Sequence, residues 1–319
     1  MKAWQKLMIA FARSERLKAF MQRRARASAL AGQFVGGADN REAVQTARRL
    51  RDGGVRASLF YLGEYVRDAE TVRATVENNI ALAGALSQAG LDVHISVDPT
   101  QIGYSIDAGR WEENAWRLGQ AVAGQPPTGR NCLMLDMEDF SVVQPTLAMH
   151  RRLREAGIPA ALTLQAYLRR SGADLQSLLE GPNVVRLVKG AFAERRERAW
   201  QRRREIDQAY LHLAAQMLSP TARGCGFYPV FGTHDDRIIA RIRVLAAANG
   251  WAQGQYEFEM LYGVRPALLH GLRDAGETVR VYLPYGRDWW PYAIRRVGET
   301  PRNALFAARA LWSALTQVG

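Results

Sequence analysis

The stretch QAGLDVHISVDPTQ, residues 88–101, reads in three parts. Residues 88–90 have the form of a helix end, since glycine takes the left-handed conformation that terminates a helix without steric cost. Residues 91–97 are largely apolar and rich in β-branched side chains, the length of one buried strand. Residues 98–101 are polar and turn-forming. The unit recurs along the chain. REAGIP leads into a run at 159–164, ARGCGF into 226–231 and DAGETV into 278–283. Further β-rich runs lie at 55–62, 131–137, 184–189 and 256–260. Helical patterns separate them at 69–89, 144–156, 194–218, 234–249 and 266–274.

Eight strands, most of them followed by a helical stretch, predict an α/β fold of the (β/α)8 TIM-like barrel type. The competing open, doubly wound sheet carries a glycine fingerprint after its first strand. Here the first strand runs into GEYV, with no such fingerprint. Ahead of the barrel, apolar residues at helical spacing mark residues 1–50 as an N-terminal helical segment, and 51–319 as the barrel domain. The break GQFVGGADN supplies Asp39 as a cap for the helix REAVQTARRLRDGG.

Composition narrows the class. The chain is 48% apolar and 23% charged, ordinary for a globular protein. No apolar run reaches the roughly 18 residues that span a bilayer, and arginines and a glutamate interrupt the N-terminal segment too early for a secretory signal. A cytoplasmic setting is the expectation. Cys132 and Cys225 lack metal-ligand spacing and read as buried thiols. The net charge is +12, concentrated in residues 1–26, with eight Lys/Arg and one acid, and in ERRERAWQRRRE, residues 194–205. Such runs suit either a solvated helix face or an anionic partner, and peripheral contact with the inner membrane face is one candidate. No stacking motif points to nucleic acid.

In a barrel of this kind the site lies at the C-terminal ends of the strands. Those ends carry Glu64, then Asp98, then Asp136, Glu138 and Asp139, then Gln165 and Tyr167. Arg186 and Lys189, Thr233 and His234, the segment EMLYG with Leu261, and Tyr282 and Tyr285 complete the circuit. Arg186 and Lys189 sit in or beside an apolar run, where a cation needs a partner: an anionic cofactor, or an internal pair with Asp136 or Glu138. His234 precedes a helix, whose first amides favour an anion. Farther on, Arg295 and Arg296 are adjacent. On a helix they point about 100° apart, with Glu299 a turn beyond. Two guanidinium groups can grip one carboxylate from two sides through charge-assisted bonds.

These strand ends resemble one family, proline dehydrogenase. The resemblance is carried by FYLGEYV, ISVDPTQIG, LDMEDFS, LTLQAYLRRS, VVRLVKGAF, FGTHDDRII, YEFEMLYGVRP and VYLPYGRDWWPYAIRRVGET, in the family's order over about residues 55–300. It implies a distorted (β/α)8 barrel that binds FAD across its C-terminal face. It implies a reaction in which proline loses hydride from C5 to flavin N5, and the electrons pass to a membrane quinone. By the same resemblance, Arg295 and Arg296 grip the substrate carboxylate, Asp136 lies near the substrate ring, and Tyr282 and Leu261 shape the pocket. Glu64 pairs with Arg295 as a gate. Gln165, Arg186, Lys189, Thr233, His234 and Glu299 contact the cofactor. No metal is implied.

The chain departs from the family at two places. Asp98 stands where the family usually has lysine, inverting a charge beside the expected carboxylate, and Phe192 stands where it usually has tyrosine. The leading substrate is therefore proline, followed by a modified or differently charged cyclic amino acid. From the residues alone three other readings stay open: a Schiff-base enzyme on Lys189, a metal site from Asp98, Asp136, Glu138 and His234, and a barrel that binds without catalysing.

Overall fold

A computed structural model describes residues 29–63, 66 and 68–299, with side chains excepted at 29–31 and 297–299. Most of the expected N-terminal helical segment, the gate residue Glu64 and the side chain of Glu299 lie outside the described residues.

Each of the eight β-rich runs is a strand, and all eight close into one barrel in sequence order, every neighbouring pair parallel. Two helices come first, α1 (Ala29–Phe34) and α2 (Asn40–Asp52). Then follow β1 (Arg56–Tyr61), α3 (Ala69–Gln88), β2 (His94–Val97), α4 (Ala108–Ala123), β3 (Cys132–Leu135), α5 (Val143–Glu155), β4 (Ala160–Gln165) and α6 (Ser171–Gln176). The second half contains β5 (Val184–Val188), α7 (Arg203–Met217), α8 (Pro220–Gly224), β6 (Tyr228–Gly232), α9 (Asp236–Ala248), β7 (Glu257–Leu261), α10 (Pro266–Asp274), β8 (Val279–Tyr285) and α11 (Trp290–Glu299).

The local chemistry accounts for the element ends. Asp39 caps α2 as expected, its carboxylate accepting from the Glu42 amide at 3.0 Å. Asp68 and Asp107 do the same for α3 and α4. Gly157 and Gly276, which end α5 and α10, have φ of 75° and 82°, the left-handed region that only glycine enters freely.

The expected helix over 194–218 begins only at Arg203. The residues before it are tied to the barrel instead. The Trp200 amide donates to Tyr167 O at 2.8 Å, Ala199 bridges to Leu168, and Glu194 accepts from the Phe140 amide at 2.7 Å. These tertiary bonds outweigh the helical pattern of the arginine run. Cys132 is buried as expected, but Cys225 is only half-buried, because it ends α8 rather than lying within a strand.

Alternation along the strands sorts the core. Leu59, Ile95, Leu133, Leu162, Leu187, Phe258 and Val281 pack in the main hydrophobic cluster. The alternate positions meet inside the barrel and are largely polar. Ser58 and Ser96 touch at 3.0 Å, and Arg186 reaches Thr163, Ser96 and Glu259 from three other strands. At the opposite end of the barrel, Arg280 is fully buried and held by Glu257 (2.6 Å), Asp92 (2.8 Å) and Ala57 O (2.8 Å).

Candidate active site

The C-terminal ends of the strands open into a cavity of about 1670 Å³. It gathers the strand-end residues singled out from the sequence: Asp98, Asp136, Gln165, Arg186, Lys189, Thr233, His234, Leu261 and Tyr282 all line it. Arg295 and Arg296, from α11, line it too, together with Tyr292 one turn before Arg296. The helix that brings them is anchored by apolar residues. Trp290, Ala293 and Ile294 are buried, and Trp289 packs edge-on against Trp290. Both tryptophans are packing residues.

The innermost group is a chain of charges. Arg186 donates to both oxygens of Glu259 at 3.1 Å, to Asp136 Oδ1, and to the Thr163 hydroxyl at 3.1 Å. Two buried carboxylates thus compensate one buried guanidinium, which would be costly alone. Asp136 accepts further from Thr163 (3.1 Å) and from the Tyr282 hydroxyl (2.9 Å). Burial, then the negative charge of Asp98, holds the Tyr282 phenol well above its usual range, so it stays a neutral donor. Phe60 stacks on the Tyr282 ring at 5.4 Å, and the Arg186 guanidinium lies 5.1 Å from its centre.

The expected internal partner for Arg186 was Asp136 or Glu138. Asp136 is one, but Glu259 takes the other place. Glu138 instead accepts from the amide and hydroxyl of Thr100, at 2.8 and 2.7 Å. The sequence reading missed Glu259. Its signal was the alternation Glu257, Phe258, Glu259, which sends two acids inward from one strand. Lys189 is held by Asp207 at 2.5 Å and Asp235 at 3.0 Å. Asp207 was missed because it comes from α7, with no sequence spacing that links it to Lys189.

Two groups have polar atoms fixed for a ligand. The Gln165 amide nitrogen donates to Met137 O (2.6 Å) and Glu138 O (2.7 Å). That fixes the amide's orientation and leaves its carbonyl oxygen buried without a donor. His234 precedes α9, as expected; that helix starts at Asp236 with Asp235 as its cap, two residues after the start of the pattern at 234–249. Its ring turns back, and Nε2 accepts from the Leu261 amide at 2.8 Å, which leaves the proton on Nδ1. Burial first, then the Arg296 and Arg265 charges, lowers its pKa to about 4. Thr233 is buried, its hydroxyl accepting from the Asp235 amide at 3.1 Å. Among the described residues no cluster of His, Cys, Asp or Glu is arranged to hold a metal ion. Nor is any helix among them long and apolar enough to cross a membrane.

The chain is similar to known proteins over most of its length. A family model described as proline dehydrogenase matches residues 43–309. Proline dehydrogenase 2 of Bacillus subtilis (strain 168) is 33% identical over 281 residues, 88% of this chain and 90% of that protein. Proline dehydrogenase of Deinococcus radiodurans is 35% identical over 284 residues, again 88% and 90%. Among solved structures, proline utilization A from Bdellovibrio bacteriovorus, inactivated by N-propargylglycine, superposes with a TM-score of 0.72 at 24% identity. It covers 84% of this chain, which spans only 32% of that longer one, and at this identity the likeness bears on the fold alone. With a family match across most of the chain and relatives a third identical over nearly their whole length, the chain belongs to the proline dehydrogenase family.

Proposed function

We propose that this enzyme, an oxidoreductase by its family, oxidises L-proline to Δ1-pyrroline-5-carboxylate with a bound FAD and passes the electrons to a quinone in a membrane. The observation that carries the reading is the meeting of Arg295 and Arg296 with Asp136, Arg186 and Tyr282 in one cavity.

The size and chemistry of the cavity support it. Ordinary ligand pockets run to about 1,000 Å³, and at about 1670 Å³ this one exceeds what a five-membered amino acid needs. The residues present fit a flavin. The orphaned Gln165 carbonyl needs an N–H donor, such as the one a flavin ring carries, and the tautomer of His234 gives its Nδ1–H as a donor. Gln165, Arg186, Lys189, Thr233 and His234 would hold the cofactor, and Glu299 is assigned to it by family resemblance. When bound, the flavin supplies the acceptor for the hydride that leaves C5, while the substrate nitrogen gives up a proton.

The chain's own residues do the positioning. Arg295 and Arg296 offer two forks to one carboxylate. Asp136 is fixed by three donors, so its charge lies at a set place near the substrate ring. Tyr282, with Phe60 stacked on it, and Leu261 wall the ring in. Glu64 would close over the substrate by pairing with Arg295.

Asp98 lines the same cavity and favours a second reading, a substrate with an added cationic or hydrogen-bond-donating group. The experiment for both is anaerobic titration of the purified flavoprotein with proline and a panel of cyclic analogues. Bleaching by proline supports the first reading. Bleaching by an analogue alone moves the assignment to the second.

A further inference from the structure

We propose that Arg265, in the turn between β7 and α10, is a positioning residue for His234: its guanidinium holds the His234 main chain so that the ring keeps one orientation and one tautomer at the cavity wall. The consequence for flavin binding rests on the reading that His234 faces the cofactor.

Arg265 stands where the backbone favours other residues. Its φ is 50° and its ψ 54°, the left-handed region that residues with a Cβ rarely enter. Among the described residues no other non-glycine has a positive φ. Pro266 follows, and a residue ahead of proline is pushed towards extended backbone. Arg265 is also the N-cap of α10, a place that Ser, Thr, Asp or Asn fills best, and its side chain makes no capping bond. Burial does not hold it there either, since its side chain is 45% exposed. Glycine would make the same turn without strain. A strained backbone beside a functional cavity points to a task for the side chain it carries.

That side chain reaches the loop after β6. Nη1 donates to the His234 carbonyl at 2.7 Å, and Nη2 lies 3.3 Å from Asp236 Oδ2, at the first residue of α9. The Leu261 amide, at the end of β7, donates to His234 Nε2 at 2.8 Å. His234 is thus held at two points from one neighbouring segment, its ring by Leu261 and its carbonyl by Arg265. With the carbonyl fixed, Nε2 stays aimed at Leu261 and the proton stays on Nδ1. His234, Leu261 and Arg265 all line the cavity, so the clamp shapes its wall.

The arginine also acts through its charge. After burial and Arg296, Arg265 is the next cause of the low pKa of His234, about 4. The Leu261 bond needs a neutral ring, because a protonated Nε2 cannot accept. The contact with Asp236 does not by itself account for the strain. That carboxylate is 65% exposed, and exposed ion pairs contribute little.

Two variants separate side chain from backbone. Arg265→Gly removes the guanidinium and the strain, whereas Arg265→Gln removes the guanidinium and keeps the strain. The state of His234 is read by nitrogen NMR of the full-length chain, where His234→Gln identifies its signal among the five histidines. Near neutral pH the wild type should show the Nδ1–H tautomer, and both variants a mixture of the two. The dissociation constant for FAD, read from flavin fluorescence on dilution of the purified protein, should rise on the order of ten-fold in both variants, the scale of one fixed hydrogen bond. Arg265→Gly should melt above Arg265→Gln, because only the backbone separates them. An unchanged His234 tautomer in both variants overturns the proposal, and so does Arg265→Gly melting below Arg265→Gln. The tautomer is read without reference to flavin or proline, so it stands apart from the proposed reaction. A disturbed tautomer with unchanged FAD binding would leave the hold on His234 standing and overturn its assignment to the cofactor.

Discussion

At the scale of single residues, the account turns on how charge is fixed in the cavity. Arg186 is compensated by Asp136 and Glu259 within the protein, and Arg295 and Arg296 line the same cavity, where the proposed reading has them hold the substrate carboxylate. Arg296→Lys keeps the charge but loses the planar fork. It should lower kcat/KM for proline on the order of 10- to 100-fold while flavin content stays unchanged, as steady-state kinetics and the visible spectrum would record. On the same reading Asp98 would repel that carboxylate, and Asp98→Asn should reduce KM for proline on the order of ten-fold. His234 adds a pH dependence. Its folded pKa, about 4, lies below the usual 6.5, so between these values the unfolded chain binds more protons. The stability it contributes is fully present above pH 6.5 and is lost as pH falls through 4. His150 is lowered to about 4 as well, and His94 also lies well below its usual value, so both push the same way. Melting temperature measured from pH 7 to 4 should therefore fall, and His234→Gln should fall less steeply.

At the scale of elements, α11 matters most, because it carries both arginines to the cavity. Trp290, Ala293 and Ile294 are its buried apolar residues. Trp290→Ala should cost about 3–5 kcal/mol of stability, read by denaturant unfolding, and should raise KM for proline by loosening the pair. Elements were also where sequence and structure agreed most unevenly. The strands were legible because glycine-terminated helices and short apolar runs repeat, and their cores coincide with the observed strands. The start of α7 was not, because the arginine run has helical composition while the bonds that hold it against the barrel come from Tyr167, Leu168 and Phe140. His234 shows the same limit. Its neighbours announce a helix, but the Leu261 amide that captures its ring belongs to the next strand.

At the scale of the whole molecule, the closed barrel explains how residues far apart in the chain converge. Strand ends from Asp98 to Tyr282 share one mouth because eight parallel strands all point their C-terminal ends the same way. That much followed from pattern alone. The polar filling of the barrel did not, since which inward acid meets which inward cation depends on the stagger of the strands. Arg280, Glu257 and Asp92 are the result at the floor. Arg280→Ala leaves Glu257 buried without its main partner and should cost about 3–5 kcal/mol in denaturant unfolding. The central claim, that a flavin and an amino acid carboxylate meet in this cavity, is tested most directly by anaerobic titration of the yellow protein with proline. The account predicts bleaching of the flavin bands by proline, shifted to far higher concentrations in Arg296→Lys. Bound flavin left unbleached by saturating proline and by every cyclic analogue, or a purified chain that takes up no FAD, would contradict it.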